Sequence, residues 1–246
     1  RMASKRWGRW FIIVSVVLML GVFTGCEGSQ PTESVSVKLN WLHTVEWAGF
    51  YAAQEKGYYA EENLEVELIP SEGDPVDAIS SGEVEFATFT GTGLVLARAD
   101  GKPLTAVATG MRQSPLVVLT MADSGIVKPE DLVGKTISVI SPDFSTGWDM
   151  QLLTFLKAAG IDQDEVNLVP AEEYGIGPLV RGDTDALGFA WSANEGIEAQ
   201  LAGHDVNMIF FSDYDVLEYP NVIVTTEQMI DENPDVVERL VRATLR

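Results

Sequence analysis

The 246-residue chain has a single cysteine, Cys26, and only two histidines, His43 and His204. One thiol excludes an intramolecular disulfide and a zinc-thiolate site. Because Cys26 ends the amino-terminal segment, it also excludes a catalytic thiol in the body. Cations are scarce, with 16 Lys and Arg against 37 Asp and Glu and a net charge of −21. Arg1, Lys5, Arg6 and Arg9 precede Cys26 in a stretch without acids, so the remaining body is four charges more negative still. A field of that sign opposes nucleic acid or an anionic membrane as a partner of the folded body. The patterns G-x-S-x-G and H-E-x-x-H and a phosphate loop are also missing. No catalytic residue, cofactor or metal ligand is therefore assigned. Glycine and proline, at 22 and 11 residues, are not in excess, and long disorder is not expected.

What is present begins with an export-type segment. Basic Lys5, Arg6 and Arg9 are followed by an apolar run from Trp10 to Phe23 and then by small residues. The run is shorter than the roughly 20 apolar residues of a bilayer-spanning helix. It ends in Phe23-Thr24-Gly25-Cys26, which resembles a bacterial lipobox whose cysteine is lipidated; a plain transmembrane anchor is the alternative. Either way the body is expected outside the cytoplasmic membrane, with residues 1–25 as signal peptide and residues 26–34 as a polar linker. The chain opens Arg1-Met2 and stops at Arg246 inside a helical pattern (Val236, Val237, Leu240, Val241) with no breaker, so further residues are expected beyond it. With 46% hydrophobic residues the body can bury a sizeable core as one large or two small domains.

The body opens on Lys38 to Tyr51, where an alternating strand (Val35, Val37, Leu39) runs into a turn and then a helix holding Phe50 to Ala53. Trp41, His43, Glu46 and Trp47 crowd that strand end, the place where open α/β sheets bind ligands. Further strands are predicted at 64–69, 84–89, 104–109, 116–120, 136–140, 166–169, 185–190, 207–211 and 221–225. Helices are predicted at 74–81, 94–99, 148–159, 174–180 and 194–202. Strands alternating with helices in two series of similar plan predict two α/β lobes with mostly parallel sheets and a ligand cleft between them. Thr90-Gly91-Thr92-Gly93 either presents free backbone N–H groups at a helix start or is simply a tight turn.

A family resemblance rests on the order of several short pieces. They are Leu39-x-Trp41, Ala48-Gly49-Phe50-Tyr51-x-Ala53, Glu55-Lys56-Gly57-Tyr58-Tyr59, Gly82-x-Val84-x-Phe86, Leu96 to Leu104, Gln113-Ser114-Pro115, Asp131-Leu132-x-Gly134-Lys135 and Gly182 to Ala186. Together they resemble solute-binding proteins of ABC importers, in the subfamily that handles thiamine pyrimidine precursors, riboflavin and alkanesulfonates. Ala190-Trp191-x-x-Asn194-Glu195 is similar to the aromatic-x-x-Asn-Glu pattern of the pyrimidine and riboflavin branch. The resemblance implies a two-lobed fold of the periplasmic-binding-protein type (type II). It places lobe 1 at residues 35–112 plus 215–246 and lobe 2 at 113–214. It also implies lobe closure on a small solute, delivery to a permease and ATPase, and further helices beyond Arg246. Yeast-type pyrimidine synthases share the fold but resemble one another in a cysteine-rich motif and a reactive lysine near the opening helix. This body has no cysteine, and no lysine lies between Lys38 and Lys56.

The candidate ligand contacts are Trp41, His43, Glu46 and Trp47 from the opening stretch, Thr90 and Gly91 from the glycine loop, and Arg112 beside the crevice. From the second series come Ser145 and Thr146 at a helix start, Tyr174, and the Trp191, Asn194 and Glu195 segment. Each tryptophan either packs in the core or lines the crevice; if both line it, closure clamps a flat ring between them. Only twelve Lys and Arg follow residue 25, and only Arg112 borders the crevice, so a neutral or weakly basic nitrogen heterocycle is expected over a sulfonate or nitrate.

Overall fold

The computed structural model describes residues 31–71, 74–142 and 147–246, and in residues 147 and 148 the backbone alone. The expected signal peptide, Cys26 and the loop positions Ser145 and Thr146 lie outside the described residues.

Strand β1 (Glu33–Lys38) buries Val35 and Val37 and carries on to buried Leu39, as its alternation requires. Helices α1 (Ala48–Glu55) and α2 (Tyr58–Glu61) follow, then β2 (Leu64–Ile69). Helix α3 (Pro75–Ser81) has its proline in the first turn, where a missing N–H costs nothing, and is capped by Asp74, whose carboxylate accepts from the Val76 N–H at 2.8 Å. Next come β3 (Phe86–Phe89), α4 (Gly91–Ala99) and β4 (Leu104–Thr109). The second series is β5 (Leu116–Met121), β6 (Thr136–Val139), α5 (Gly147–Ala158), β7 (Asn167–Pro170), α6 (Gly177–Arg181), β8 (Ala186–Trp191), α7 (Glu195–Leu201) and β9 (Val206–Phe210). The chain then returns through β10 (Val222–Thr226), α8 (Glu227–Glu232) and α9 (Pro234–Thr244).

Two five-stranded sheets result, ordered β2-β1-β3-β10-β4 and β7-β6-β8-β5-β9. In line with the expected mostly parallel sheets, four of the five strands in each sheet run the same way and one runs against them. In each sheet two neighbouring pairs are parallel and two antiparallel. The reason is the path of the chain. β10 arrives from the second sheet and β5 from the first, so each enters its host from the far end and runs against the local βαβ strands. The two sheets thus share one plan, in which the incoming strand sits fourth.

Each sheet has a core on both faces. In the first, α1, α2 and α9 cover Val35, Val37 and Phe86 on one side, while α3 and α4 cover Ala87, Phe89 and Val224 on the other. Buried Arg239 ties α9 down by donating to Asp235 at 2.8 Å, to the Glu62 carbonyl at 2.9 Å and to Glu33. In the second, Phe155 stacks on Phe211 at 4.5 Å within the larger of two clusters. Two segments, 110–115 and 211–221, join the sheets.

Candidate functional site

The loop after β1 is fastened before it reaches any ligand. Leu39 N–H donates to the Ile69 carbonyl at 2.8 Å, Asn40 N–H to the Thr88 hydroxyl at 3.1 Å, and Ser71 N–H to the Trp41 carbonyl at 3.1 Å. A 3-10 turn, Val45–Trp47, then sends Trp47 inward, where its Nε1 donates to the Leu42 carbonyl at 3.0 Å and its ring meets Phe50 edge-on. With Trp47 buried to 1% exposure, its neighbour Glu46 is left facing the space between the sheets.

On the other side, β8 is buried along its whole length and ends at Trp191. The turn that follows is closed by Glu195, whose carboxylate accepts from the Trp191 N–H at 2.8 Å, and by Asn194 N–H donating to the Trp191 carbonyl at 3.0 Å. At the end of β6, buried Asp149 of α5 accepts from the Ile140 and Ser141 N–H groups, both at 3.0 Å. The loop after β7 carries Tyr174, whose ring meets Trp41 edge-to-face at 5.1 Å and Phe189 at 6.2 Å. Trp41 and Tyr174 come from opposite sheets, so this contact bridges the two halves.

The result is a cleft of about 60 Å³ lined by Asn40, Trp41, Glu46, Ile140, Tyr174, Phe189, Trp191, Asn194 and Glu195. Among the described residues, four aromatic rings, two carboxyls and two side-chain amides face it, and no cation does. Burial pushes the Glu46 carboxyl up to about 7. The Asn194 and Thr44 side chains oppose the rise, the Glu195 charge adds to it, and Asn221 opposes it slightly. Burial also raises Glu195, against the bond it accepts from Trp191. Near neutral pH, Glu46 is thus able to donate or accept a hydrogen bond. A larger depression, about 730 Å³, runs along the free edge of β2. It is open, bounded by one half only, and carries the carboxylates of Glu65, Glu67 and Glu85 among its lining.

The structure brings together Trp41, Glu46, Tyr174, Trp191, Asn194 and Glu195 of the expected contacts. Trp191 both packs in the core of the second sheet and lines the cleft. Trp47 is a core residue and leaves the expected set. His43 also leaves it, because the ring turns to the outer face and its Nδ1 lies 2.8 Å from the Tyr51 hydroxyl. Thr90 and Gly91 leave it because their helix start is already filled. Gly91 N–H donates to the Tyr219 carbonyl at 2.9 Å, Thr92 N–H to the Glu218 carboxylate at 2.8 Å, and Gly93 N–H to the Thr90 hydroxyl at 2.9 Å. Arg112 is exposed on the connecting segment, outside the cleft lining. Among the described residues, no group of three or more His, Cys, Asp or Glu is placed to hold a metal. Sequence reasoning missed Asn40, Ile140 and Phe189. Phe189 was findable, since it stands two residues before Trp191 on a strand and so shares its face.

The model of the family described as NMT1/THI5 like matches residues 44–246. The formylaminopyrimidine-binding protein of Halalkalibacterium halodurans is 28% identical over 244 residues, which cover 96% of this chain and 73% of that protein. Riboflavin-binding protein RibY of Chloroflexus aurantiacus is 30% identical over 225 residues, 89% of this chain and 62% of that one. Among solved structures, the periplasmic aliphatic sulphonate binding protein SsuA of Escherichia coli aligns with a TM-score of 0.69 at 15% identity, over 86% of this chain and 71% of its own. That likeness gives the fold as periplasmic-binding-protein-like.

Proposed function

The chain belongs to the NMT1/THI5-like family, and on that premise we propose that it captures a small nitrogen heteroaromatic solute outside the cell membrane and hands it to an ABC permease. The observation that carries the proposal is the cleft itself, with aromatic rings from both halves around two carboxyls and two amides and, among the described residues, no cation facing it. A flat ring enters between Trp41, Tyr174 and Trp191, each such ring pair contributing about 0.5–1.5 kcal/mol beyond area burial. Glu195 and Asn194 are held on a closed turn, which orients their free atoms toward ring nitrogens and exocyclic amines. Glu46, from the opposite half, completes the set only when the halves are together. Ligand contacts made only in the closed state shift the population toward closure.

In this reading lobe 1 is residues 35–112 plus 215–246 and lobe 2 is 113–214, turning about the two connecting segments. Attachment by lipidated Cys26 is supported by the basic, apolar and small-residue order of the first 26 residues. An anionic solute is disfavoured because two carboxyls face the cleft and the α4 start is occupied by Glu218.

The test is isothermal titration of the full-length, delipidated chain with a panel of aminopyrimidines, riboflavin and taurine. Binding of an aromatic member with taurine inert is the expected result, and binding of taurine alone would sink the heterocycle assignment. Ligand recovered chemically unchanged from the complex is expected. Conversion to a product would replace capture with catalysis.

A further inference from the structure

The four rings of the cleft form two layers. Phe189 and Trp191, each 8% exposed, make its floor, whereas Trp41 at 36% and Tyr174 at 58% stand at its rim. The rim rings meet edge-to-face with their centroids 5.1 Å apart. A flat ring sandwiched between two others needs about 7 Å, twice the closest carbon–carbon contact of about 3.5 Å. Trp41 and Tyr174 therefore touch each other directly. They belong to opposite halves, so turning the halves apart breaks their contact. The segment that carries Tyr174 is fastened at its ends. Ala171 N–H donates to the Val139 carbonyl at 2.7 Å, which continues the pairing of β6 with β7, and buried Ile176 joins Leu179 in the core of the second sheet. Among the described residues, Glu172 to Gly175 make no backbone–backbone hydrogen bond. Gly175 turns with a φ of 91°, and a Cβ there would lie 3.3 Å from the Glu198 carboxylate, so another residue makes this turn only under strain. Arg181 of α6, which also pairs with Asp183, donates to Glu173 at 2.7 Å and tethers the segment one residue short of its tip.

We infer that residues 172–175 form a latch: Tyr174 closes on Trp41 independently of any solute, and the pair holds a large share of the unliganded protein with its halves together. The inference rests on the two-half closure of the proposed function and adds to it a contact that favours closure before capture. An edge-to-face pair shifts such an equilibrium by about two- to twelvefold. A latch also favours every solute equally, because it changes the fraction of closed protein and not what the closed cleft recognises. Discrimination among solutes is then left to the floor and to Asn194 and Glu195.

Small-angle X-ray scattering of the full-length, delipidated chain without solute reads the latch directly. Tyr174→Ala and Trp41→Ala should each give a larger radius of gyration than the wild type, and the double variant should be no larger than either. Gly175→Ala should enlarge it as well, although it alters no side chain that lines the cleft. Tyr174→Phe keeps the ring and should match the wild type. Unchanged circular dichroism in each variant distinguishes opening from unfolding. In isothermal titration, Gly175→Ala should weaken an aminopyrimidine and riboflavin by one common factor, equal within about twofold and no more than about twelvefold. Wild-type radii in the alanine variants, or a loss confined to one solute, would overturn the latch and leave the cleft reading standing. Enlarged radii in a protein that binds neither solute would support the latch and remove the cleft reading.

Discussion

Replacing Glu46 by glutamine should stabilise the protein at about pH 8 and leave it unchanged at about pH 4. The carboxyl's ordinary value of 4.5 is raised to about 7 in the folded chain, chiefly by burial. Between those two values the native state holds a proton that the unfolded chain has released, so stability falls as pH rises through the window. This is the reverse of the usual carboxylate, whose folded pKa is depressed and whose contribution is lost toward acid. Above pH 7 the whole cost is present. At 1.36 kcal/mol per pKa unit it comes to about 3 kcal/mol, and the carboxyl's partial contact with solvent reduces that to about 2 kcal/mol. Glutamine keeps the shape and removes the charge, so the advantage of the variant should be near zero at about pH 4 and grow to about 2 kcal/mol at about pH 8. Glu195 and Glu218 are also raised by burial and remain in both proteins, so each retains a slope and the difference reports Glu46 together with its coupling to Glu195. Urea unfolding across that range, with m-values compared, measures it. A stability difference that does not change with pH, or a variant weaker at about pH 8, would refute the claim that this carboxyl is desolvated.

Other substitutions separate cleft from core. Trp41→Ala should weaken aminopyrimidine binding about tenfold by calorimetry with little change in melting temperature, because 36% of the residue is exposed and its ring meets Tyr174 across the cleft; affinity within twofold would remove it from the site. Trp47→Ala, six positions on, should instead cost about 3–5 kcal/mol in denaturant unfolding, since it leaves a void where a ring is 1% exposed. Glu195→Gln retains an oxygen to accept from the Trp191 N–H, so stability should hold within about 1 kcal/mol while affinity falls about tenfold; an unchanged affinity would make Glu195 a turn-closing residue alone.

Alternation made most strands legible. Val35 and Val37 of β1, Leu64 and Val66 of β2, and the buried run of β8 carry their burial in their spacing. Local chemistry placed α3, where Asp74 caps and Pro75 starts the first turn. The helix expected from Tyr174 begins instead at Gly177, because Gly175 takes a positive φ of 91° that breaks the run and frees Tyr174 for the cleft. What local pattern does not hold is which strand enters which sheet, and hence the antiparallel partners of β5 and β10. The occupant of the α4 start was invisible for the same reason, since Glu218 lies 126 residues from Thr92. Within the opening stretch, one 3-10 turn decides that Glu46 faces the cleft and Trp47 the core, and nothing in the residue types distinguishes them.

The same crossing of chains that hid the topology creates the place where the halves turn. Thr109 ends β4 at the root of one connecting segment, and its hydroxyl donates toward the Met111 carbonyl at 2.9 Å and the Asn221 carbonyl at 3.0 Å. Met111 belongs to the outgoing segment and Asn221 to the returning one, so one hydroxyl clasps both. Thr109→Val keeps the shape and removes the clasp, at a cost of about 1 kcal/mol. That loss should fall on the two segments and spare the sheets, whose cores it does not touch. Hydrogen exchange is expected to quicken by about fivefold at residues 110–115 and 217–222 and to stay unchanged in β1 and β8. Because closure sets the fraction of binding-competent protein, solute affinity should shift with it, by no more than the same factor. Faster exchange throughout both sheets would mean that the hydroxyl supports the fold as a whole. No change at 110–115 would mean that the two segments move independently, and that the halves are not coupled through Thr109.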